Sequence, residues 1–150
     1  MVLILHIVRY LILWISFIIL FSLAALGLEL IEGYKITTSE YYGLRNIGFI
    51  FITMMFLIAS VFYPVILIPL SIVISKIVTV ALGRVLLYSI LGGIGGIFIF
   101  HKFYSDHFIQ EYDLNISSSI LIFGAVGFMY ALIDNYLQRR PSPLRSLDMI

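Results

Sequence analysis

The side chains best suited to binding a metal ion lie together in one short stretch, HKFYSDHFIQEYDLN, at residues 101–115. If this stretch is helical, His107 and Glu111 stand four residues apart on one face, where an imidazole and a carboxylate can bind a divalent cation. The other acids and the second histidine match no recognised ligand spacing, and aromatic residues interleave with them. A solvated acidic loop is therefore the favoured interpretation, and we predict neither a metal ion nor a cofactor.

Groups for nucleophilic or redox chemistry are scarce. The chain has no cysteine, which excludes disulfides, thiolate ligands and thiol redox chemistry. Three consecutive serines, Ser117, Ser118 and Ser119, have no base at a spacing that would make one of them a nucleophile, and they are expected to cap a helix. We therefore expect the protein not to be an enzyme.

The composition determines which elements can carry these residues. Of the 150 residues, 62% are hydrophobic and 11% are charged, against about 45–50% and about 25% in an average soluble domain. So much apolar surface favours hydrocarbon as the solvent, because exposing it to water costs on the order of 25 cal/mol per Å². The net charge of +1 argues against a nucleic-acid partner.

Four charge-free runs are long enough to form transmembrane helices, since about 20 apolar residues cross about 30 Å of hydrocarbon. They predict spans at 11–28, 47–70, 85–100 and 116–133, and a single integral membrane domain over 1–150. The fold class is thus all-α, a small transmembrane helical bundle. The first run is interpreted as a retained anchor that begins beside Arg9, Tyr10 and Trp14, with cleavage near Gly27 as the alternative. None of the runs contains an ionisable residue, which argues against proton-coupled transport.

The basic residues predict an N-in, C-in orientation, because cytoplasmic segments carry an excess of Lys and Arg. Six lie on the side that holds both ends of the chain: Arg9, Lys76, Arg84, Arg139, Arg140 and Arg145. The other side has three: Lys35, Arg45 and Lys102. Residues 138–150 form a basic cytoplasmic tail with a mild affinity for anionic lipid.

The segment between the second and third runs permits two interpretations. Weakly polar residues recur every four positions from 71 to 83, which favours a short helix lying in the membrane interface. Alternatively, the second span continues to Ser75 and the third begins at Ile77, which would draw Arg84 inward. In that case Arg84 and Asp134 are predicted to form an ion pair at the inner leaflet, whereas snorkelling to the headgroups is the simpler alternative.

Small residues in the third and fourth runs predict close helix packing. Gly92 and Gly96 form a G-x-x-x-G pair that allows another helix to approach closely. The same faces include Ser89, Gly93, Gly124 and Gly127. Packing within the chain, self-association and a ligand path along exposed backbone all remain open. In the second run, Pro64 and Pro69 predict a helix kink.

The charge-free spans, the FYPVILIP segment and the LGGIGG helix give the chain a generic resemblance to uncharacterised small four-span membrane proteins of Bacillus-type bacteria and their prophages. This resemblance implies a multi-pass protein of the bacterial cell membrane. The function favoured by the residues is that of a non-enzymatic accessory, regulatory or immunity-type protein that acts through helix packing. Its partners would be the lipid bilayer and another membrane protein or a second copy of itself. The alternative is a small homo-oligomeric transporter or channel, or a holin-like permeabiliser.

Overall fold

The structure, a computed structural model, describes residues 2–38 and 48–139, and 89% of these residues are helical, with no strand among them. The all-α prediction is thus confirmed. The predicted basic tail lies outside the described residues except for its first two positions. The helices are α1 (Val2–Ile31), α2 (Phe49–Phe62), α3 (Ile68–Ile77), α4 (Ala81–Phe103), α5 (Asp106–Glu111) and α6 (Ile116–Arg139). A 3₁₀ turn, Gly33–Lys35, follows α1, and a π-helical turn, Tyr63–Leu67, joins α2 to α3.

Four helical segments are long and apolar enough to cross a membrane, as expected for a multi-pass membrane protein. They are His6–Lys35, Phe49–Ile77, Ala81–Phe103 and Ile116–Gln138. Helices suit this solvent because each backbone N–H and C=O is paired within its own segment, where hydrocarbon offers no other partner. The N-in, C-in orientation remains a prediction.

The four segments run up and down, as side-chain contacts along their lengths show. Arg9 near the start of α1 meets Asp134 near the end of α6, whereas Glu32 beyond α1 meets Ser118 at the start of α6. We call the end of the bundle where α1 begins and α6 finishes the terminal end, and the opposite end the far end. The segment α2–α3 starts at the far end, where Phe51 contacts Phe103.

The core between the two ends is aromatic. The rings of Phe17, Tyr63 and Tyr130 meet with centroids 5.8–6.3 Å apart, so that α1, the π-turn and α6 converge on one point. Tyr88 joins from α4 at 5.3 Å from Tyr130, and all four side chains are buried. Edge-to-face contacts of this kind are favourable beyond the area that they bury. This cluster fixes the relative positions of the helices that carry the polar sites.

The interfacial-helix interpretation of the segment from 71 to 83 differs from the structure. The second span continues through the π-turn and α3 to Ile77, and α4 begins at Ala81 after a three-residue break. Ser71 is buried in the bundle, whereas Ser75 and Thr79, the next two residues of the weakly polar stripe, are exposed. The alternative, in which both spans are extended, is therefore closer to the observed fold.

Candidate functional site

The predicted kink in the second span coincides with a change of helix type. Pro64 lies in the π-turn, and Pro69 is the second residue of α3. A proline has no N–H to donate and its ring crowds the preceding turn, which widens the helix at this point. The wider turn places the Tyr63 ring inside the bundle, where it is 1% exposed.

The predicted packing glycines form the contact between α4 and α6. A Cβ atom added to Gly96 would lie 2.6 Å from the carbonyl oxygen of Ser119, and one added to Gly92 would overlap the carbonyl oxygen of Phe123. On the other helix, a Cβ at Gly127 would overlap the carbonyl oxygen of Tyr88. Backbone cannot move aside as a flexible side chain can, so these three positions require glycine for the helices to approach this closely.

Two hydroxyl groups reinforce this contact. Ser89 on α4 donates to the carbonyl oxygen of Gly124 at 3.1 Å, and Ser119 on α6 donates to that of Gly96 at 2.7 Å. In each bond, a serine hydroxyl of one helix donates to a backbone carbonyl of the other, once from α4 to α6 and once from α6 to α4. Of the predicted packing set, Gly92, Gly96 and Gly127 thus contact the neighbouring helix closely and Ser89 hydrogen-bonds to it. Ser119, which the sequence predicted as a helix cap, adds a second cross-link.

The remaining glycines of the predicted set lie along an open groove on the surface of the same helix pair. A Cβ at Gly124 would meet its nearest atom at 3.6 Å, and one at Gly93 at 3.4 Å, both ordinary contacts. The groove has a volume of about 520 Å³ and a lining of small and branched apolar residues. We call it the α4/α6 groove: Ser89, Ile90, Gly93, Ile94, Ile97, Ile120, Leu121, Gly124 and Ala125.

At the terminal end, Asp134 forms an ion pair with Arg9 of α1, and not the predicted one with Arg84. Asp134 is 2% exposed and accepts hydrogen bonds from the Arg9 guanidinium, including one from Nε at 3.1 Å. Gln138 donates to the other carboxylate oxygen at 3.0 Å, and Arg84 donates to the side-chain oxygen of Gln138. Arg84 therefore meets Asp134 only through Gln138. The physical reason is that α1 packs directly against α6 at this level.

At the far end, two glutamates near the end of α1 are buried, which the sequence alone did not reveal. Glu32 is 1% exposed and accepts hydrogen bonds from Lys35 Nζ at 2.7 Å, the Asn115 backbone N–H at 2.9 Å and the Ser118 hydroxyl. Glu29 is 4% exposed and accepts from the Tyr104 hydroxyl at 2.9 Å. Burial raises the pKa of the Tyr104 phenol, so this hydroxyl remains a donor.

A sequence signal for this far-end pair existed but was not used. Glu29 and Glu32 are three residues apart, so they share a face if α1 continues past the apolar run. The sequence prediction ended the first span at 28 and placed both acids in the loop that follows it. In the structure α1 runs to Ile31, and the carboxylates find partners at Tyr104, just after α4, and at Asn115, just before α6.

The histidine and acids of residues 101–115 do not converge on one point. His107 and Glu111 do lie together, with Nε2 and Oε2 3.0 Å apart, but both side chains are solvent-exposed. Across residues 2–38 and 48–139 no three metal-ligating side chains form a group. This arrangement is an ordinary i,i+4 pair on the short helix α5.

No family model, curated protein or solved structure matches the chain. Any function must therefore be argued from the site itself.

Proposed function

We propose that this protein is a non-enzymatic, multi-pass protein of the bacterial cell membrane that binds a transmembrane helix of another membrane protein in the α4/α6 groove. It would act as an accessory, regulatory or immunity-type subunit. The supporting observation is that the groove floor contains a glycine, Gly124, that the packing of this chain does not require. Glycine in a helix interior costs about 1 kcal/mol relative to alanine, so its use here is explained if it leaves room for a second helix.

The chemistry of the groove fits such a partner. Its walls are the exposed side chains of Ile90, Ile94 and Leu121, which are 57–73% exposed in the isolated chain. Lipid tails solvate these walls as well as a protein does, so association in a bilayer depends on close van der Waals contact across small residues. Ser89 and Gly93, about one helical turn apart on α4, and the adjacent Gly124 and Ala125 on α6 provide that contact.

Other activities receive less support from the geometry. Two surface depressions of the described residues, one along α2 and the π-turn and one at the α4/α6 groove, are shallow and open outward. A transporter or channel would then require several copies of the chain, with the path between them. That homo-oligomer is the competing outcome of the experiment below.

The test is photo-crosslinking from the groove in native membranes. A photoreactive amino acid at Ala125, which is exposed on the groove rim, should crosslink to one membrane protein of different sequence. Extraction in mild detergent should recover both in a discrete complex. The substitution A125L fills the groove without a clash inside the bundle and should abolish the complex while leaving the abundance of the protein unchanged.

The matched control is Gly95→Leu on α4. An added Cβ at Gly95 meets no atom within 4 Å, and Gly95 is not part of the groove. This variant should keep the complex. If Ala125 crosslinks only to copies of the same chain, the accessory role is wrong and a homo-oligomer takes its place. If A125L and Gly95→Leu behave alike, the groove is not the binding surface.

A further inference from the structure

The Glu29 carboxyl group is buried at the far end in a setting that differs from that of its neighbour Glu32. It lies directly against Gly33, where an added Cβ would overlap the carboxyl atoms. Its hydrogen-bond partner among the described residues is the neutral hydroxyl of Tyr104, 2.9 Å away. The ion pairs found within residues 6–38 and 48–138 do not include Glu29.

Glu32 has the donors that an ionised carboxylate requires. Lys35 supplies a positive charge 2.7 Å from Oε2, and the backbone N–H of Asn115 and the Ser118 hydroxyl provide two further bonds. Asn115 also caps α6, since its side-chain oxygen accepts from the Ser117 N–H at 2.9 Å. The carboxylate of Glu32 therefore lies at the N-terminus of α6, where the helix dipole favours negative charge.

Because their surroundings differ so much, Glu29 and Glu32 should differ in protonation state, with Glu32 ionised and Glu29 protonated. An ionised carboxylate buried without a cation costs several kcal/mol, whereas a protonated carboxyl needs only ordinary hydrogen bonds. We propose that Glu29 is a proton-binding site, and that its bound proton keeps the end of α1 closed against Tyr104 and the end of α4. This role is separate from helix binding in the α4/α6 groove, which lies on another part of the surface.

The groups that surround Glu29 support this assignment of the proton. On its own segment lie Glu32 and Lys35, which pair with each other, and from α4 comes the phenol of Tyr104. The start of α6 faces this region with Asn115 and Ser118, which do not titrate. Loss of the proton would place a second negative charge at the end of the bundle that already holds Glu32. The carboxylate would then be driven toward water, and the contact between Glu29 and Tyr104 would open.

The direct test is infrared spectroscopy of the full chain in lipid nanodiscs at neutral pH. A protonated carboxyl gives a C=O stretching band that a carboxylate lacks. We expect one such band, and we expect it to shift when the protein is made with ¹³C-labelled glutamate, which separates it from any aspartic acid. Glu29→Gln should remove the band and Glu32→Gln should leave it. Tyr104→Phe should move it to higher frequency, because the hydrogen bond to the carboxyl is lost.

Stability gives an independent measurement. An ordinary glutamic acid ionises near pH 4.3 in an unfolded chain, so a folded state that retains the proton becomes less stable as the pH rises above about 4. The unfolding temperature of the wild type should therefore fall relative to Glu29→Gln between pH 4 and pH 8. The proposal is overturned if the wild type shows no glutamate-dependent band at neutral pH. It is equally overturned if the band disappears in Glu32→Gln and persists in Glu29→Gln.

Discussion

The indole N–H of Trp14 donates a hydrogen bond of 3.1 Å to the carbonyl oxygen of Ser60, on the neighbouring helix α2. In a regular α-helix this oxygen would accept from the N–H of residue 64, but Pro64 has none. Hydrocarbon cannot replace the missing donor, so a side chain from another helix must do so. Trp14 thus compensates for the proline and joins α1 to the π-turn that places Tyr63 in the core.

This bond should contribute measurably to stability. We expect Trp14→Phe to lower the free energy of unfolding by about 1–3 kcal/mol, because the partly buried Ser60 carbonyl is left without this donor. Unfolding by a denaturing detergent, followed by circular dichroism in mixed micelles, measures the change. Pro64→Ala restores an N–H at residue 64, so Trp14→Phe should cost less in that background. An equal cost in both backgrounds would show that Trp14 contributes through packing alone.

Trp14 also illustrates which parts of the structure could be predicted from sequence. The four spans follow from apolar runs whose length the bilayer sets, so the fold class was predictable. Trp14 itself was interpreted as a headgroup anchor, because an aromatic residue at the start of an apolar run commonly has that role. Its actual role depends on the proline in another helix facing it, and a single sequence does not encode that contact in any local pattern.

The helix ends were harder to predict for the same reason. A charged residue usually ends a span, yet α1 continues past Glu29 because Tyr104 provides a hydrogen bond from α4. Similarly, Asp134 and Arg84 were assigned to the same end of the bundle, which is where they lie. The choice of Arg9 as the partner of Asp134 depends on α1 packing against α6, which is a tertiary contact.

The glycine contact between α4 and α6 predicts a sharp difference between two neighbouring positions. A Cβ at Gly127 would overlap the Tyr88 carbonyl oxygen, so Gly127→Ala should separate the helices and cost about 1–3 kcal/mol. At Gly124 an added Cβ would lie 3.6 Å from its nearest atom, so Gly124→Ala causes no clash. Because alanine has the better helix propensity, this variant should be as stable as the wild-type monomer or slightly more stable. Thermal unfolding of the purified monomer distinguishes them. Equal losses at both positions would mean that the two helices are not this close.

The ion pair at the terminal end predicts which charge exchange restores folding. Asp134 is buried, so Asp134→Arg should cost about 3–5 kcal/mol by leaving uncompensated charge beside Arg9. Adding Arg9→Asp should recover much of that loss, because the pair is re-formed with its charges exchanged. Adding Arg84→Asp instead should recover little, since Arg84 meets Asp134 only through Gln138. The yield of monodisperse protein and its unfolding temperature measure the recovery. Recovery with Arg84→Asp but not with Arg9→Asp would show that Arg84 is the partner of Asp134, as the sequence predicted.

The spacing of the two polar ends along α1 predicts where the membrane lies. Arg9 and Glu29 are twenty residues apart, or about 30 Å at 1.5 Å per residue, which equals the thickness of the hydrocarbon core. Each polar end should therefore lie at one membrane face. The natural chain has no cysteine, so single cysteines can be introduced at Thr79 and Ser105, which are exposed beyond the two ends of α4.

An impermeant maleimide should label these two cysteines from opposite sides of the membrane. With both ends of the chain in the cytoplasm, Ser105→Cys reacts on intact cells and Thr79→Cys reacts only after permeabilisation. Gly95→Cys, in the middle of α4, should resist labelling from both sides and serves as the control. The reverse pattern would keep the four spans but overturn the orientation inferred from the basic residues. Labelling of Thr79→Cys and Ser105→Cys from the same side would show that α4 does not cross the bilayer, because the two positions would then share one compartment.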